Sequence, residues 1–85
     1  MNNKLEIFKK KLIYRAGYRG TKEMDILLSS FVDKNIDLFN EKLLDDLDKF
    51  LNFEDEVILN YYQYDIIKEN IDKNEVSKIF KKFKI

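Results

Sequence analysis

The spacing of apolar residues predicts helices along the whole chain, because these residues recur at intervals of three and four positions. The absence of proline is consistent with uninterrupted helices. A first helix is predicted over residues 3–17. Its buried face is predicted to carry Leu5, Phe8, Leu12 and Ala16, with Ile7 and Tyr14 widening the same face.

A turn and a second helix are predicted next. Residues 18–20 form the predicted connection, in which Gly20 suits a turn and Thr21 suits the N-cap of the following helix. The second helix is predicted over residues 22–33, and residues 33–39 are predicted to be a loop. The buried face of this helix is predicted to carry Met24, Leu27, Leu28 and Phe31.

Two further helices are predicted in the middle of the chain. Asn40 is the predicted N-cap of a third helix that ends near Leu51. Its apolar face is predicted to contain Leu43, Leu44, Leu47, Phe50 and Leu51. A short fourth helix is predicted over residues 54–62, since three acids at its start suit the positive end of a helix dipole. Its buried residues are predicted to be Val57, Ile58 and Tyr61, with Tyr62 as a further candidate.

The last predicted helix follows a segment, residues 63–71, whose pattern allows either a helix extension or a partly ordered crossover. Asp72 and Glu75 match the spacing of a capping box. The apolar face of this helix is predicted to carry Val76, Ile79, Phe80 and Phe83. We therefore predict an all-α protein, a compact bundle of five short helices in a single domain over residues 1–85.

Composition limits the function. The chain has 85 residues with no cysteine and no histidine, which removes disulfides, thiol nucleophiles and imidazole bases. The paired carboxylates lie in a dense acidic run, and so small a helical domain offers little room for a catalytic cleft. The acidic run Glu54 to Glu56 lacks the alternating ligands and the glycine of a calcium loop. We expect neither an enzyme nor a metal site.

Charge is distributed unevenly along the chain although its net value is zero. Residues 1–22 carry seven Lys/Arg and one Glu, whereas residues 23–56 carry three Lys and eleven Asp/Glu. A bipolar molecule suits a folded protein partner better than nucleic acid, because the acidic part repels phosphate. The alternative is a small helical nucleic-acid-binding or regulatory protein that uses Lys9, Lys10, Lys11 and Lys22.

Cellular location is predicted from the amino-terminal composition. The chain begins with polar and charged residues, and no stretch approaches the apolar length of a membrane span or of a signal peptide. We therefore expect a soluble, cytoplasmic protein. The low proline and high Lys, Asn and Ile content is typical of an AT-rich bacterial genome, so we expect a bacterial source. We also expect a monomer.

The stretch GYRGTKEMD, residues 17–25, contains both glycines of the chain. Glycine enters left-handed conformations freely and lets another molecule approach the backbone closely. Beside it, Arg19 is predicted to offer donors to a partner and Glu23 to offer acceptors near a helix N-terminus. Arg15, one turn earlier, is predicted to widen this contact, and Asp25 belongs to the same candidate surface.

Structural explanations for these residues remain open at this point. Gly20 can be a simple helix terminator, and Glu23 a favourable charge in a first helical turn. Asp25 can be a solvated surface residue. Tyrosines such as Tyr18 and Tyr61 are more often aromatics at the edge of a core.

Two blocks of the sequence resemble a known family. RAGYRGTKEMDILLSSF, residues 15–31, resembles the signature of the succinate dehydrogenase assembly factors of the SdhE type, or flavinators. Their hallmark is Arg-Gly-x-x-Glu followed by an acid two residues later, here Arg19, Gly20, Glu23 and Asp25. FLNFEDEVILNYY, residues 50–62, resembles the family's second block, with Asp55 and Tyr61 at its acidic and aromatic positions. The similarity covers roughly residues 8–62.

The resemblance implies a five-helix bundle that binds the flavoprotein subunit of succinate dehydrogenase or fumarate reductase and promotes covalent attachment of FAD. It implies no redox centre in the chain itself. We expect no stably bound cofactor here, because the two glycines follow no strand and do not form a dinucleotide-binding turn.

Overall fold

A computed structural model describes residues 3–84, and these residues form five α-helices without a β-strand. The helices are α1 (Asn3–Gly17), α2 (Lys22–Asn35), α3 (Glu41–Phe50), α4 (Asp55–Tyr64) and α5 (Glu75–Lys81), with 3-10 turns at Ile36–Leu38 and Ile71–Lys73. The prediction of an all-α bundle of five short helices is confirmed. Residues 1, 2 and 85, which the predicted domain includes, lie outside the described part of the chain.

Polar side chains start three of the helices. The Thr21 hydroxyl accepts the Met24 N–H at 3.3 Å, and the Asn40 side-chain oxygen accepts the Leu43 N–H at 2.9 Å, so both predicted N-caps are confirmed. The predicted capping box of Asp72 is wrong. Asn74 caps α5 instead, accepting the Ser77 N–H at 3.1 Å, because residues 71–73 form a separate 3-10 turn.

Two helix ends differ from the prediction. Helix α2 continues to Asn35 and leads into the 3-10 turn, so the predicted loop over residues 33–39 is largely helical. This course buries Ile36 and Phe39, which adds apolar contact that local turn signals do not reveal. Helix α4 runs two residues past its predicted end and stops at Asp65, whose left-handed backbone (φ 58°) ends the helix.

The hydrophobic core is organised around Phe31 of α2. Its ring lies 5.0 Å from the ring of Phe80 and 6.2 Å from that of Phe50, in edge-to-face geometry that joins α2, α3 and α5. Phe83 follows α5 and packs its ring 5.3 Å from Phe31. Other fully buried side chains from all five helices and the second 3-10 turn complete the core, among them Leu12, Leu28, Leu44, Leu47, Ile58, Ile71 and Val76.

Helix α1 has apolar residues on two opposite faces. Leu12 and Ala16 are fully buried, and Leu5 and Phe8 pack against the core from its edge. Ile7 and Tyr14 are exposed, with 52% and 63% of their surface accessible, so the prediction that they widen the buried face is wrong. The reason is helical geometry: at about 100° per residue, Tyr14 points roughly 200° away from Leu12.

No helix among residues 3–84 has both the length and the apolar character needed to cross a membrane.

Candidate functional site

The corner between α1 and α2 contains both glycines, and each has a different structural role. A β-carbon on Gly17 would lie 3.1 Å from the Ser29 hydroxyl oxygen, so this glycine allows the two helices to approach closely. Gly20 has φ +116° and nothing within 4 Å of the position a β-carbon would take. The backbone therefore turns sharply at Gly20 and is open to the outside at the same point.

Arg19 points inward from this corner. Its Nε donates to Asp55 Oδ1 at 2.8 Å, its Nη1 to the Leu51 carbonyl at 2.6 Å and its Nη2 to the Phe53 carbonyl at 2.6 Å. Only 10% of the side chain is exposed. These acceptors lie at the end of α3, in the following turn and at the start of α4. The guanidinium thus donates to carbonyls that are left unpaired at the end of helix α3 and in the following turn. It connects the turn between α3 and α4 to the turn between α1 and α2.

The predicted presentation of the Arg19 guanidinium to another protein is therefore wrong in its geometry. Acceptors within the chain occupy one N–H on each of its three nitrogens. The fork of donors that arginine offers to a carboxylate also fits a set of backbone carbonyls, and here it is used internally. Arg19 shapes the candidate surface by holding the backbone beneath it.

Arg15 makes a parallel set of contacts one turn earlier. Its Nη1 pairs with the Asp48 carboxylate, and its Nη2 donates to the Asp48 carbonyl at 3.2 Å and to Asn52 Oδ1 at 2.6 Å. About a third of the side chain, 32%, remains exposed. Arg15 therefore also binds the end of α3, which leaves only part of its guanidinium surface for the wider contact predicted from the sequence.

Asp25 stabilises the turn itself. Its Oδ1 accepts the backbone N–H of Arg19 at 2.6 Å, and the residue is half-buried. An ionised acceptor on a backbone N–H makes a strong hydrogen bond. The position of Asp25 in the first turn of α2 thus fixes the loop from Tyr18 to Thr21.

The outward surface of the corner consists of Tyr18, Gly20 and Glu23, and we call it the corner surface. Tyr18 is 72% exposed, and Gly20 and Glu23 are exposed as well. The Glu23 carboxylate has no hydrogen bond or ion pair with residues 3–84, although it lies in the first turn of α2. It is therefore an acceptor free to bind a group on another molecule.

An open concave surface of about 520 Å³ adjoins the corner surface. Tyr18 and Arg19 line it from the α1–α2 loop, and the turn from Leu51 to Glu56 lines the opposite wall. Arg19 pairs with Asp55, whereas Glu54 and Glu56 are exposed. This concave surface is thus acidic and shallow, and its shape is compatible with one side of a protein–protein interface.

The two motif residues of the second block take different positions. Asp55 begins α4 and pairs with Arg19, so the two sequence blocks meet in space. Tyr61 is buried, with 8% of its surface exposed, and the Lys81 ammonium lies 5.3 Å from the centre of its ring. Lys81 also donates to the Tyr61 and Tyr62 carbonyls at 2.7 and 3.2 Å. Tyr61 contributes to packing between α4 and α5.

Tyr18 lies on the candidate surface, although the sequence favours a place at the edge of the core for it. Its ring stacks on Tyr14 outside the core, with centroids 4.4 Å apart. The signal was available: Tyr14 and Tyr18 are four residues apart and lie opposite Leu12 and Ala16 on a helical projection.

The lysines of the nucleic-acid alternative do not act as one group. Lys9 donates to Asp37 at 3.3 Å, and only 17% of its side chain is exposed. Lys10, Lys11 and Lys22 are exposed. Among residues 3–84, no cluster of three or more carboxylates is arranged to hold a metal ion.

Comparison with known proteins identifies the family. A sequence model of the family described as "Flavinator of succinate dehydrogenase" matches residues 10–84. Because this match covers most of the chain, including both motif blocks, the chain belongs to that family. No solved structure matched the chain.

Three curated relatives illustrate the similarity. The chain is 41% identical over 51 residues to "Succinate dehydrogenase assembly factor 2, mitochondrial" from Scheffersomyces stipitis, a match over 60% of this chain and 34% of that protein. It is 42% identical over 48 residues, or 56% of this chain and 31% of the relative, to assembly factor 2-B from Drosophila simulans. It is 38% identical over 47 residues to "FAD assembly factor SdhE" from Acetobacter pasteurianus, covering 55% of this chain and 43% of that protein. The match thus spans under half of each relative.

Proposed function

We propose that this protein is an assembly factor that binds the flavoprotein subunit of succinate dehydrogenase and promotes covalent attachment of FAD to it. The observation that carries the proposal is the family match over residues 10–84 together with the geometry of its motif. Gly20 is open and Glu23 is free, while Arg19, Asp25 and Asp55 hold the loop beneath them.

The corner surface supports docking for two physical reasons. At Gly20 the backbone of a larger protein can approach without meeting a side chain. Beside it, the Glu23 carboxylate accepts hydrogen bonds from that protein. An unpaired charge buried in an interface is costly, so the partner is expected to supply a donor at this point. The loop is already held by internal hydrogen bonds, so binding requires little further ordering.

The proposed action is conformational. The factor binds one arrangement of the flavoprotein more tightly than others and so increases its population. In that arrangement the flavin of the subunit and its attachment residue lie close together. The bond-forming chemistry belongs to the flavin and the subunit, and this chain contributes orientation.

Several narrower expectations belong to the same proposal. The protein acts without enzymatic activity and without a stably bound cofactor, and it is a cytoplasmic monomer in a bacterium. The flavoprotein subunit of fumarate reductase is the alternative client in this proposal. The visible absorbance spectrum of the purified protein tests the absence of flavin, and light scattering tests the monomeric state.

Co-expression tests the main proposal. The flavoprotein subunit is produced with and without this chain, and covalent flavin is measured by fluorescence of the subunit after denaturing electrophoresis. We expect fluorescence to increase when the chain is present and the two proteins to co-purify. Equal fluorescence in both samples would contradict the proposal.

A further inference from the structure

The outer face of α1 is an exposed aromatic and aliphatic ridge. It is formed by Ile7 and Tyr14 of the helix and by Tyr18, the first residue after it, with 52%, 63% and 72% of their surfaces accessible. The two tyrosine rings stack with an interplanar angle of 23°. We call these three residues the α1 ridge. It lies opposite Leu12 and Ala16, so core packing does not account for it.

Unpaired lysines flank the ridge. Lys10 and Lys11 are exposed and form no hydrogen bond or ion pair with residues 3–84. On a helix they lie about 60° and 40° to either side of Ile7. Together with Ile7, Tyr14 and Arg15 they line an apolar surface groove of about 440 Å³. The groove combines apolar walls with free positive charge.

These features fit a narrow acidic segment that also carries apolar side chains. Exposed apolar ridges of this kind commonly mark interaction sites, and stacked tyrosines supply contact area at low entropic cost. The free lysines complement negative charge on the occupant. A flat anionic membrane fits less well, because a separate groove beside Lys4, on the flank of the same helix, is lined by the carboxylates of Glu41 and Asp45. These two carboxylates would repel an anionic membrane surface.

The α1 ridge is continuous with the corner surface. Tyr18 stacks on Tyr14 and also lines the concavity beside Arg19. One bound protein can therefore cover both surfaces. We propose that the α1 ridge binds an acidic, apolar segment of the flavoprotein subunit, and this proposal rests on the proposed function.

A binding titration with two variants tests this proposal. The probe is the purified flavoprotein subunit without covalent flavin, titrated at low and at moderate salt. Tyr14→Ser and the double variant K10E/K11E are each expected to weaken binding about tenfold, as substitution of a well-buried interface anchor does. Binding by K10E/K11E should also lose most of the salt dependence of the wild type.

Matched variants control for general surface effects. Ile26→Ser removes an apolar side chain that is 51% exposed on α2, and K68E/K84E reverses two exposed lysines elsewhere. Both are expected to bind within about twofold of the wild type, since isolated surface charges contribute little. Thermal unfolding of every variant verifies that the fold is intact.

The outcomes separate the two proposals. If the wild type binds the subunit and the ridge variants bind equally well, the ridge proposal is overturned and the proposed function stands. If the wild type does not bind the subunit, both are overturned. Phosphatidylglycerol vesicles and a single-stranded RNA oligonucleotide serve as further probes. If the protein binds either of these probes through Lys10 and Lys11, and binds the subunit equally well without these lysines, the ridge proposal is also overturned.

Discussion

Arg19 and Asp55 form an ion pair, with Nε and Oδ1 2.8 Å apart, that joins the two motif blocks of the sequence across the surface of the bundle. The same guanidinium donates to the Leu51 and Phe53 carbonyls. The Arg-Gly-x-x-Glu motif is thereby divided between two roles. Arg19 supports the loop from inside, and Gly20 and Glu23 face outward.

The ion pair predicts a coupled effect on stability. Arg19→Ala is expected to lower the free energy of unfolding by about 2–4 kcal/mol, because it leaves a partly buried carboxylate and two carbonyls unpaired. The double variant R19A/D55A should lose less than the sum of the two single losses. Urea unfolding measures this cycle. Lys78→Ala is the control, because both side chains of its ion pair with Glu75 are 54% exposed. Additive losses would contradict the coupling.

The turn at Gly20 predicts a conformational penalty. Gly20→Ala is expected to cost about 1–3 kcal/mol, because a β-carbon disfavours a backbone φ of +116° even where space is available. Differential scanning calorimetry gives the change in melting temperature. Thr21→Ser, which keeps the helix cap, should leave the melting temperature nearly unchanged. An unaffected Gly20→Ala would show that the turn relaxes.

Asp25 predicts a local change in dynamics. Asp25→Ala removes the acceptor of the Arg19 N–H, and amide hydrogen exchange at Arg19 should become faster. Asp25→Asn retains an oxygen acceptor and is expected to give an intermediate rate. Exchange rates by NMR decide between these outcomes. Equal rates in all three proteins would mean that other contacts hold the loop.

Ser77 predicts a stabilising substitution. Its side chain is fully buried, and its hydroxyl has no hydrogen-bond partner among residues 3–84. Ser77→Ala is expected to raise the free energy of unfolding by about 1 kcal/mol, since an unsatisfied buried hydroxyl is costly. Ser30→Ala is the control: Ser30 is half-buried on α2, and this substitution measures the gain from helix propensity alone. A loss of stability in Ser77→Ala would reveal an unrecognised contact of the hydroxyl.

Local signals were sufficient to predict most of the fold from the sequence. Thr21 and Asn40 cap helices through hydrogen bonds to backbone N–H groups three residues away, so the local sequence is sufficient to predict both caps. The 3-10 turn at Ile36–Leu38 could not be predicted in the same way. It forms because Ile36 and Phe39 reach the core, which depends on helices distant in sequence.

The geometry of the candidate site could not be predicted from the sequence. Two of the three acceptors of Arg19 are backbone carbonyls 32 and 34 residues away, and residue identity does not show which carbonyls accept hydrogen bonds. The exposure of Tyr14 was missed for another reason. Apolar spacing alone merges the two faces of α1 into one, whereas a helical projection places Tyr14 about 200° from Leu12 and indicates its exposure.

Glu23 is proposed to bind the flavoprotein, since its carboxylate makes no hydrogen bond or ion pair with residues 3–84. Glu41 provides a matched control, because it also lies exposed in the first turn of a helix. The most direct test compares Glu23→Gln with Glu41→Gln in the covalent flavin fluorescence of the co-expressed subunit and in melting temperature. We predict that both variants melt alike and that Glu23→Gln alone loses most of the fluorescence gain. Equal fluorescence with both variants would contradict the claim.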